Sequence, residues 1–265
     1  MTVHALTIAG SDSGGGAGIQ ADLKTFSALG AYGMTVLTAL TAQNTRGVNA
    51  VHAVPPAFVL QQLDAVFDDI RVDAVKLGML ANAAIVHAVA EGLARHRPRW
   101  VVLDTVMIAK GGHPLLAPEA IAAIRDTLLP LAGLVTPNLP EAAALLGCAP
   151  AQTESQMREQ GEALLQAGAQ AVLMKGGHLG GAESPDWLII PTGAVRFAHP
   201  RIPTRHTHGT GCTLSAALTA LRPHHPDWAA TVLAARTYLQ DALHAADRLQ
   251  VGQGVGPVHH FHRWW

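Results

Sequence analysis

The 265 residues carry 18 Lys and Arg against 19 Asp and Glu, and only 14% are charged, which excludes a surface built to hold nucleic acid or an anionic membrane. With 49% hydrophobic residues and a mean hydropathy of +0.22, the chain can bury a large core, so global disorder is excluded too. Two cysteines, Cys148 and Cys212, are too few for a disulfide scaffold and suit a reducing compartment, so a soluble cytoplasmic protein is expected. The apolar run Val3–Ala9 is cut by Gly10, Ser11 and Asp12, and no run reaches the roughly 20 residues of a membrane span, so neither a signal peptide nor a membrane segment is expected.

Short Val/Ile/Leu-rich runs alternate with longer amphipathic stretches along the chain, the pattern of parallel strands with crossover helices. His4–Ala9 reads as the first strand, followed by Gly10-Ser11-Asp12-Ser13-Gly14-Gly15-Gly16-Ala17-Gly18 and a helix over Ala17–Leu29. Met34–Ala42 reads as one strand ending at Gln43-Asn44-Thr45, and Pro56–Asp68 as a helix. Strand Ala74–Leu77 leads into Gly78-Met79 and helix Ala83–Arg95, and strand Trp100–Leu103 into Asp104-Thr105 and helix Pro118–Leu128. Strand Gly133–Val135 precedes Thr136-Pro137-Asn138 and helices Leu139–Leu146 and Glu154–Ala167. Strand Ala171–Met174 ends at Lys175-Gly176-Gly177-His178, after which Asp186–Pro191 and Ala194–Ala198 flank Thr192-Gly193 as an antiparallel hairpin at a sheet edge. Helices Cys212–Leu221 and Trp228–Arg248 close the series.

These elements predict an α/β fold of three α/β/α layers around a mostly parallel sheet, organised as a single domain over residues 1–265. Small, polar and charged residues collect after the strands, and ligands of open parallel sheets bind outside the carboxyl ends of the strands. A large polar site is therefore expected at that end.

Gly14 to Gly18 fails the strict G-x-G-x-x-G spacing of a dinucleotide site, because Ile19 follows Gly18, and no acidic residue ends the second strand. Asp22, on the first turns of the following helix, is a carboxylate expected to need a polar partner, which a ligand could supply. In His208-Gly209-Thr210-Gly211-Cys212-Thr213 two glycines open a helix, so backbone N–H groups can converge on an anion. The helix dipole is expected to lower the Cys212 thiol below about 8.5 and make it a proton acceptor. A thiol-dependent hydrolase would instead use Cys212 as nucleophile, but needs a His–Asp or His–Asn pair that His208 alone does not establish. Lys175 would place an ammonium at the ligand edge, where phosphate is its natural partner. Asn138 and Glu141, one turn apart, read equally as a capping box and as a group suited to hydrated Mg²⁺ on phosphates. His259, His260 and His262 lack nearby Cys or carboxylate partners and are expected to pack a C-terminal tail with Phe261, Trp264 and Trp265 rather than hold a metal.

Taken together, Ala17-Gly18-Ile19-Gln20-Ala21-Asp22-Leu23-Lys24-Thr25, Ala42-Gln43-Asn44-Thr45, Lys76-Leu77-Gly78-Met79-Leu80, Thr136-Pro137-Asn138-Leu139-Pro140-Glu141, Met174-Lys175-Gly176-Gly177-His178 and Thr207-His208-Gly209-Thr210-Gly211-Cys212-Thr213 resemble the ribokinase-like small-molecule kinases. Within that superfamily the chain is similar to the bacterial hydroxymethylpyrimidine/phosphomethylpyrimidine kinases of thiamine biosynthesis over essentially its full length, and pyridoxal-type kinases are the alternative. The resemblance implies ATP and Mg²⁺ as cofactors, a homodimer, and two successive phosphorylations of a pyrimidine alcohol at one site. It assigns Gln43 to the pyrimidine with Asp22, Met79 and Gly10 around it, Cys212 to the base, and Gly209, Thr210 and Gly211 to an anion hole. It places Lys175, Asn138, Glu141 and Asp104 at the ATP phosphates and Mg²⁺, with Glu141 reaching the metal through water. The first loop departs from the family pattern by an extra glycine at Gly14, and Val106–Leu116, containing Lys110-Gly111-Gly112, has the composition of a lid.

Overall fold

The computed structural model describes residues 1–107 and 116–265, so most of the expected lid, Val106–Leu116, lies outside the described residues. Strands β1 (His4–Ala9), β2 (Tyr32–Leu37), β5 (Ala74–Leu77), β6 (Val101–Leu103), β7 (Leu134–Val135) and β8 (Val172–Lys175) run parallel, and β9 (Glu183–Ile190) and β10 (Gly193–Pro200) add the antiparallel edge hairpin. The order across the sheet is β10-β9-β8-β7-β6-β5-β1-β2. The chain therefore leaves β1 toward one edge and returns on its other side at β5, which makes the β1/β5 junction the switch point where a crevice opens.

Alternation along each strand assigns its two faces. Leu6, Ile8, Val75, Leu77, Val101 and Leu103 point to a core closed by α2 (Pro56–Phe67), α3 (Ala83–His96), α4 (Pro118–Ala123), α5 (Leu139–Leu146) and α6 (Glu154–Gln166). Ala5, Val102, Leu134 and Leu173 point the other way, toward α1 (Gly18–Ala28), α7 (Thr210–Leu221) and α8 (Trp228–His244). Thr7 and Lys76, opposite each other in the β1/β5 register, face that second layer as polar residues.

The single strand expected over Met34–Ala42 is two strands. The chain breaks at Thr38, whose N–H is bonded to the Ala9 carbonyl (3.1 Å) and whose hydroxyl donates to the Met79 carbonyl (2.6 Å). From there β3 (Ala39–Asn44) leaves the main sheet and pairs antiparallel with β4 (Gly47–Ala53), a strand the sequence pattern did not reveal. The helix expected over Pro118–Leu128 is α-helical only to Ala123 and continues as a π-helical turn, Ile124–Leu128. The helix expected to reach Arg248 ends at His244, with a 3₁₀ turn over Ala246–Arg248. No helix among the described residues is long and apolar enough to cross a membrane.

Candidate active site

A cleft of about 570 Å³ opens at the carboxyl ends of β1 and β5 and joins a second space of about 390 Å³ through the shared residues Asn138, His178, Thr207, Thr210 and Gly211. Gly10, Gln43, Met79, Asp104, Asn138, Glu141, Gly209, Thr210, Gly211 and Cys212 all line the first, and Lys175 lines the second. Residues spread over the whole sequence are thus brought together by the strand ends that carry them.

The first loop is organised by Asp12. Its carboxylate accepts from the N–H groups of Gly14 (2.8 Å), Gly16 (3.1 Å) and Ala17 (2.8 Å), so the extra glycine at 14 is tied into the turn. The same carboxylate lies 2.7 Å from Nε2 of His208, which is also 3.4 Å from Nε2 of Gln43. Gly18 (φ +55°) and Gly209 (φ +77°) sit in the left-handed region, and a Cβ at either would collide with a backbone carbonyl, that of Gly10 or Gly16 respectively. The two glycine loops can approach each other only without side chains.

Gln43 is presented by β3. Ser11 and Ser13 fasten that strand to the first loop: Ser13 Oγ receives the Gln43 N–H and donates to the Gln43 carbonyl, both at 2.8 Å, and Thr41 Oγ1 donates to the Ser11 carbonyl at 2.9 Å. A register shift between Ala42 and Gln43 re-aims the strand at this point, as β-bulges do.

Asp22 does not line the cleft. It is wholly buried beneath it, and its partner is the protein itself: Lys76 Nζ at 2.8 Å and Thr7 Oγ1 at 2.7 Å. Sequence reasoning assigned no role to Lys76, although a lysine inside the buried strand Ala74-Val75-Lys76-Leu77 was a signal in itself. Burial pulls the Lys76 ammonium down, but the Asp22 carboxylate, with Cys212 and Asp104 acting in the same sense, raises it above the ordinary lysine range. A charged pair therefore forms the floor under Cys212.

Cys212 stands in the first turn of α7 and accepts a hydrogen bond from the Gly18 N–H. The expected lowering of its pKa is reversed. Burial pushes the thiol up to about 11, and the Lys76 charge, which favours thiolate, is opposed by Asp22 and Asp104. Desolvation outweighs the helix dipole here, so the ligand-free site holds a neutral thiol at pH 7.

Lys175, at the end of β8, bonds Asp104 Oδ1 at 3.0 Å and lies 3.8 Å from Glu141 Oε2. Burial works against both charges, yet Lys175 lowers Asp104 below the usual carboxylate range, while Asp104 and Glu141 raise Lys175. Asp104 also accepts from Ser215 Oγ (3.2 Å) and Thr136 Oγ1 (3.3 Å). Glu141, pushed up by burial, accepts from Thr105 Oγ1 (3.0 Å) and the Asn138 N–H (2.9 Å), and Asn138 Oδ1 receives the Glu141 N–H (2.9 Å). The capping box is thus real, and it holds the Glu141 carboxylate at the cleft wall. Asp104 and Glu141 beside one ammonium suit a cation that takes its remaining ligands from water and phosphate; among the described residues, no group of three His, Cys, Asp or Glu could hold a metal unaided.

Residues 12–259 match the family described as phosphomethylpyrimidine kinase. The chain belongs to that family. A phosphomethylpyrimidine kinase family member from Salmonella typhimurium, named hydroxymethylpyrimidine/phosphomethylpyrimidine kinase, is 63% identical over 263 residues, 99% of each chain. The family's structure from Clostridium difficile superposes with a TM-score of 0.81 at 43% identity, covering 91% of this chain and 99% of that one. An ADP complex of Bacillus subtilis pyridoxal kinase superposes with a TM-score of 0.91 at 37% identity, covering 100% of both chains. These ribokinase-like neighbours match the three-layer architecture of the phosphomethylpyrimidine kinase family described above.

Also missed by sequence reasoning was the tail that braces the site. Val255 N–H donates to the Thr45 carbonyl (2.9 Å), Arg46 contacts Gln253, and His208 N–H donates to the Gly256 carbonyl (3.0 Å). Further on, His260 Nε2 lies 3.0 Å from Thr213 Oγ1, and the rings of His259 and Phe261 meet Trp265, as expected of a packed tail.

Proposed function

We propose that this chain, working as one domain over residues 1–265, phosphorylates 4-amino-5-hydroxymethyl-2-methylpyrimidine with ATP and then phosphorylates the monophosphate to the diphosphate. The observation that carries the reading is one cleft with an amide-bearing wall, Gln43 and Met79, facing the Gly209–Cys212 loop and opening onto Lys175, Asp104 and Glu141. Gln43 pairs with the ring nitrogen and amino group, and the N–H groups at the start of α7 receive the transferred phosphoryl group. Lys175 takes charge from the ATP phosphates. Mg²⁺ would be held through water at Glu141, with Asp104 near, and would supply charge neutralisation on those phosphates. In the first reaction the hydroxymethyl oxygen attacks the γ-phosphorus of ATP, the bond from that phosphorus to the bridging oxygen breaks and ADP leaves, and the hydroxyl proton passes to Cys212 in its minor thiolate form. In the second a phosphate oxygen of the monophosphate attacks in the same way, ADP again leaving, and that acceptor, already an anion, needs no such base.

His208 pairs with Asp12 through Nε2, as a thiol hydrolase would require, but among the described residues no hydrogen bond joins that ring to Cys212, which weighs against this reading. Pyridoxal kinase is the second reading, supported by the 0.91 superposition, and the 63% identity to a pyrimidine kinase favours the first. We also propose a cytoplasmic homodimer: the outer face of β3 and β4 exposes Leu40, Ala42, Ala50 and His52 side by side. ATP consumption over a panel of pyrimidine and pyridine alcohols tests the assignment. Turnover confined to pyridoxal would overturn it.

A further inference from the structure

A separate cavity of about 470 Å³ lies at the opposite end of the sheet, where β5 and β6 begin and α7 passes into α8. Arg222, only 7% exposed, lines it together with Arg99, Trp100, Asp73 and His225. The Arg222 Cζ lies 3.8 Å from the centroid of the Trp100 ring and 4.9 Å from that of Trp228, and Nη1 donates to the His225 carbonyl at 2.6 Å. Its Nε is buried without a hydrogen-bond partner.

The nearby carboxylates are committed elsewhere. Asp73 bonds Arg71 (3.0 Å) and the His4 N–H (2.9 Å), and Asp227 caps α8 through the Ala230 N–H (2.8 Å). The second cation, Arg99, is exposed, with its Cζ 5.0 Å from the Trp100 centroid. Burial weakens the hold of Arg222 on its proton, the Asp227 charge opposes this in part, and the Arg99 charge adds to it. The carboxyl end of α7 offsets part of the Arg222 charge and none that belongs to the exposed Arg99. With Trp100 already covered by guanidinium groups, the cavity suits a small polyanion better than a flat heterocycle.

We propose that this cavity is an anion site for a phosphate or diphosphate group, held by Arg222 and Arg99 beside Trp100 and distinct from the catalytic cleft. Inorganic diphosphate and glycerol phosphate are titrated separately into the intact protein, following indole fluorescence and, in parallel, calorimetric heat. Expected is a saturable fluorescence change in the wild type and in Lys175→Ala. Binding should weaken by about tenfold or more in Arg99→Glu, the loss of a charge-assisted contact and its reversal. Trp100→Phe should abolish the optical signal and keep the heat. Tighter binding of diphosphate assigns the diphosphate group, and equal binding assigns a single phosphate. A response that survives in Arg99→Glu and vanishes in Lys175→Ala would place the anion in the catalytic cleft and overturn the proposal. Absence of saturable binding of either anion would overturn it as well.

Discussion

Lys76 Nζ stands 2.8 Å from Asp22 Oδ2, with both side chains fully excluded from solvent and 54 residues apart in the chain. Each charge is tolerable only because the other is present. Lys76→Met should therefore destabilise the fold by about 3 to 5 kcal/mol, by leaving a buried carboxylate unpaired. Lys76→Met combined with Asp22→Asn should recover most of that loss. Urea denaturation of Lys76→Met, of Asp22→Asn and of the double variant measures the coupling, and additive effects would show that the pair does not act as a unit.

In the proposed reaction Cys212 links the same buried charges to chemistry. With the thiol at about 11, the thiolate fraction rises tenfold per pH unit below that value, so the first phosphorylation should accelerate as pH climbs from neutrality while the second stays nearly flat. Cys212→Ser should slow the first step by about 10²- to 10⁴-fold and the second much less. Rates measured separately, with monophosphate supplied for the second step, check both points. Equal losses would make Cys212 a shaper of the anion loop and not the base.

Gln43→Ala should weaken pyrimidine binding by about 1 to 3 kcal/mol if Gln43 has the proposed role, because the ring polar groups then lose their hydrogen-bond partner. ATP affinity should stay unchanged. Calorimetry with each ligand decides, and loss of ATP binding with intact pyrimidine binding would reverse the assignment.

Lys175→Ala should lower turnover in both reactions while the fold persists, since its proposed role is on the donor phosphates common to the two. It also frees Asp104 and Glu141 of their shared cation, so both carboxylates should titrate higher in the variant. Wild-type rates at saturating ATP would remove Lys175 from the mechanism.

His260 makes stability depend on pH. Burial pulls its folded pKa down to about 3, whereas the unfolded imidazole titrates near 6.5, so the unfolded chain binds the proton that the fold refuses. The stability is whole above about pH 6.5 and is lost on acidification toward 3, at up to about 1.4 kcal/mol per pH unit from this one group. His260→Asn should flatten that slope in thermal melts between pH 4 and 7. An unchanged slope would assign the acid sensitivity to other groups.

Hydrophobic period and turn residues are local, and with them the sequence alone determined most elements: β1 and α5 have the predicted bounds, and the edge hairpin lies where Thr192-Gly193 marks it. The same residues placed the site at the strand ends, because a glycine, amide or charge immediately after an apolar strand has only that end to occupy. Tertiary structure decided what depends on distant partners. Period alone could not show that the chain would break at Thr38 to build β3 and β4, nor that the tail would return from Gln253 to brace Thr45 and His208. Asp22 found Lys76 rather than a ligand, and Cys212 lost its expected acidity, because burial is set by everything packed around a group. The helix dipole is written in the nearest few residues; desolvation is written only in the folded whole.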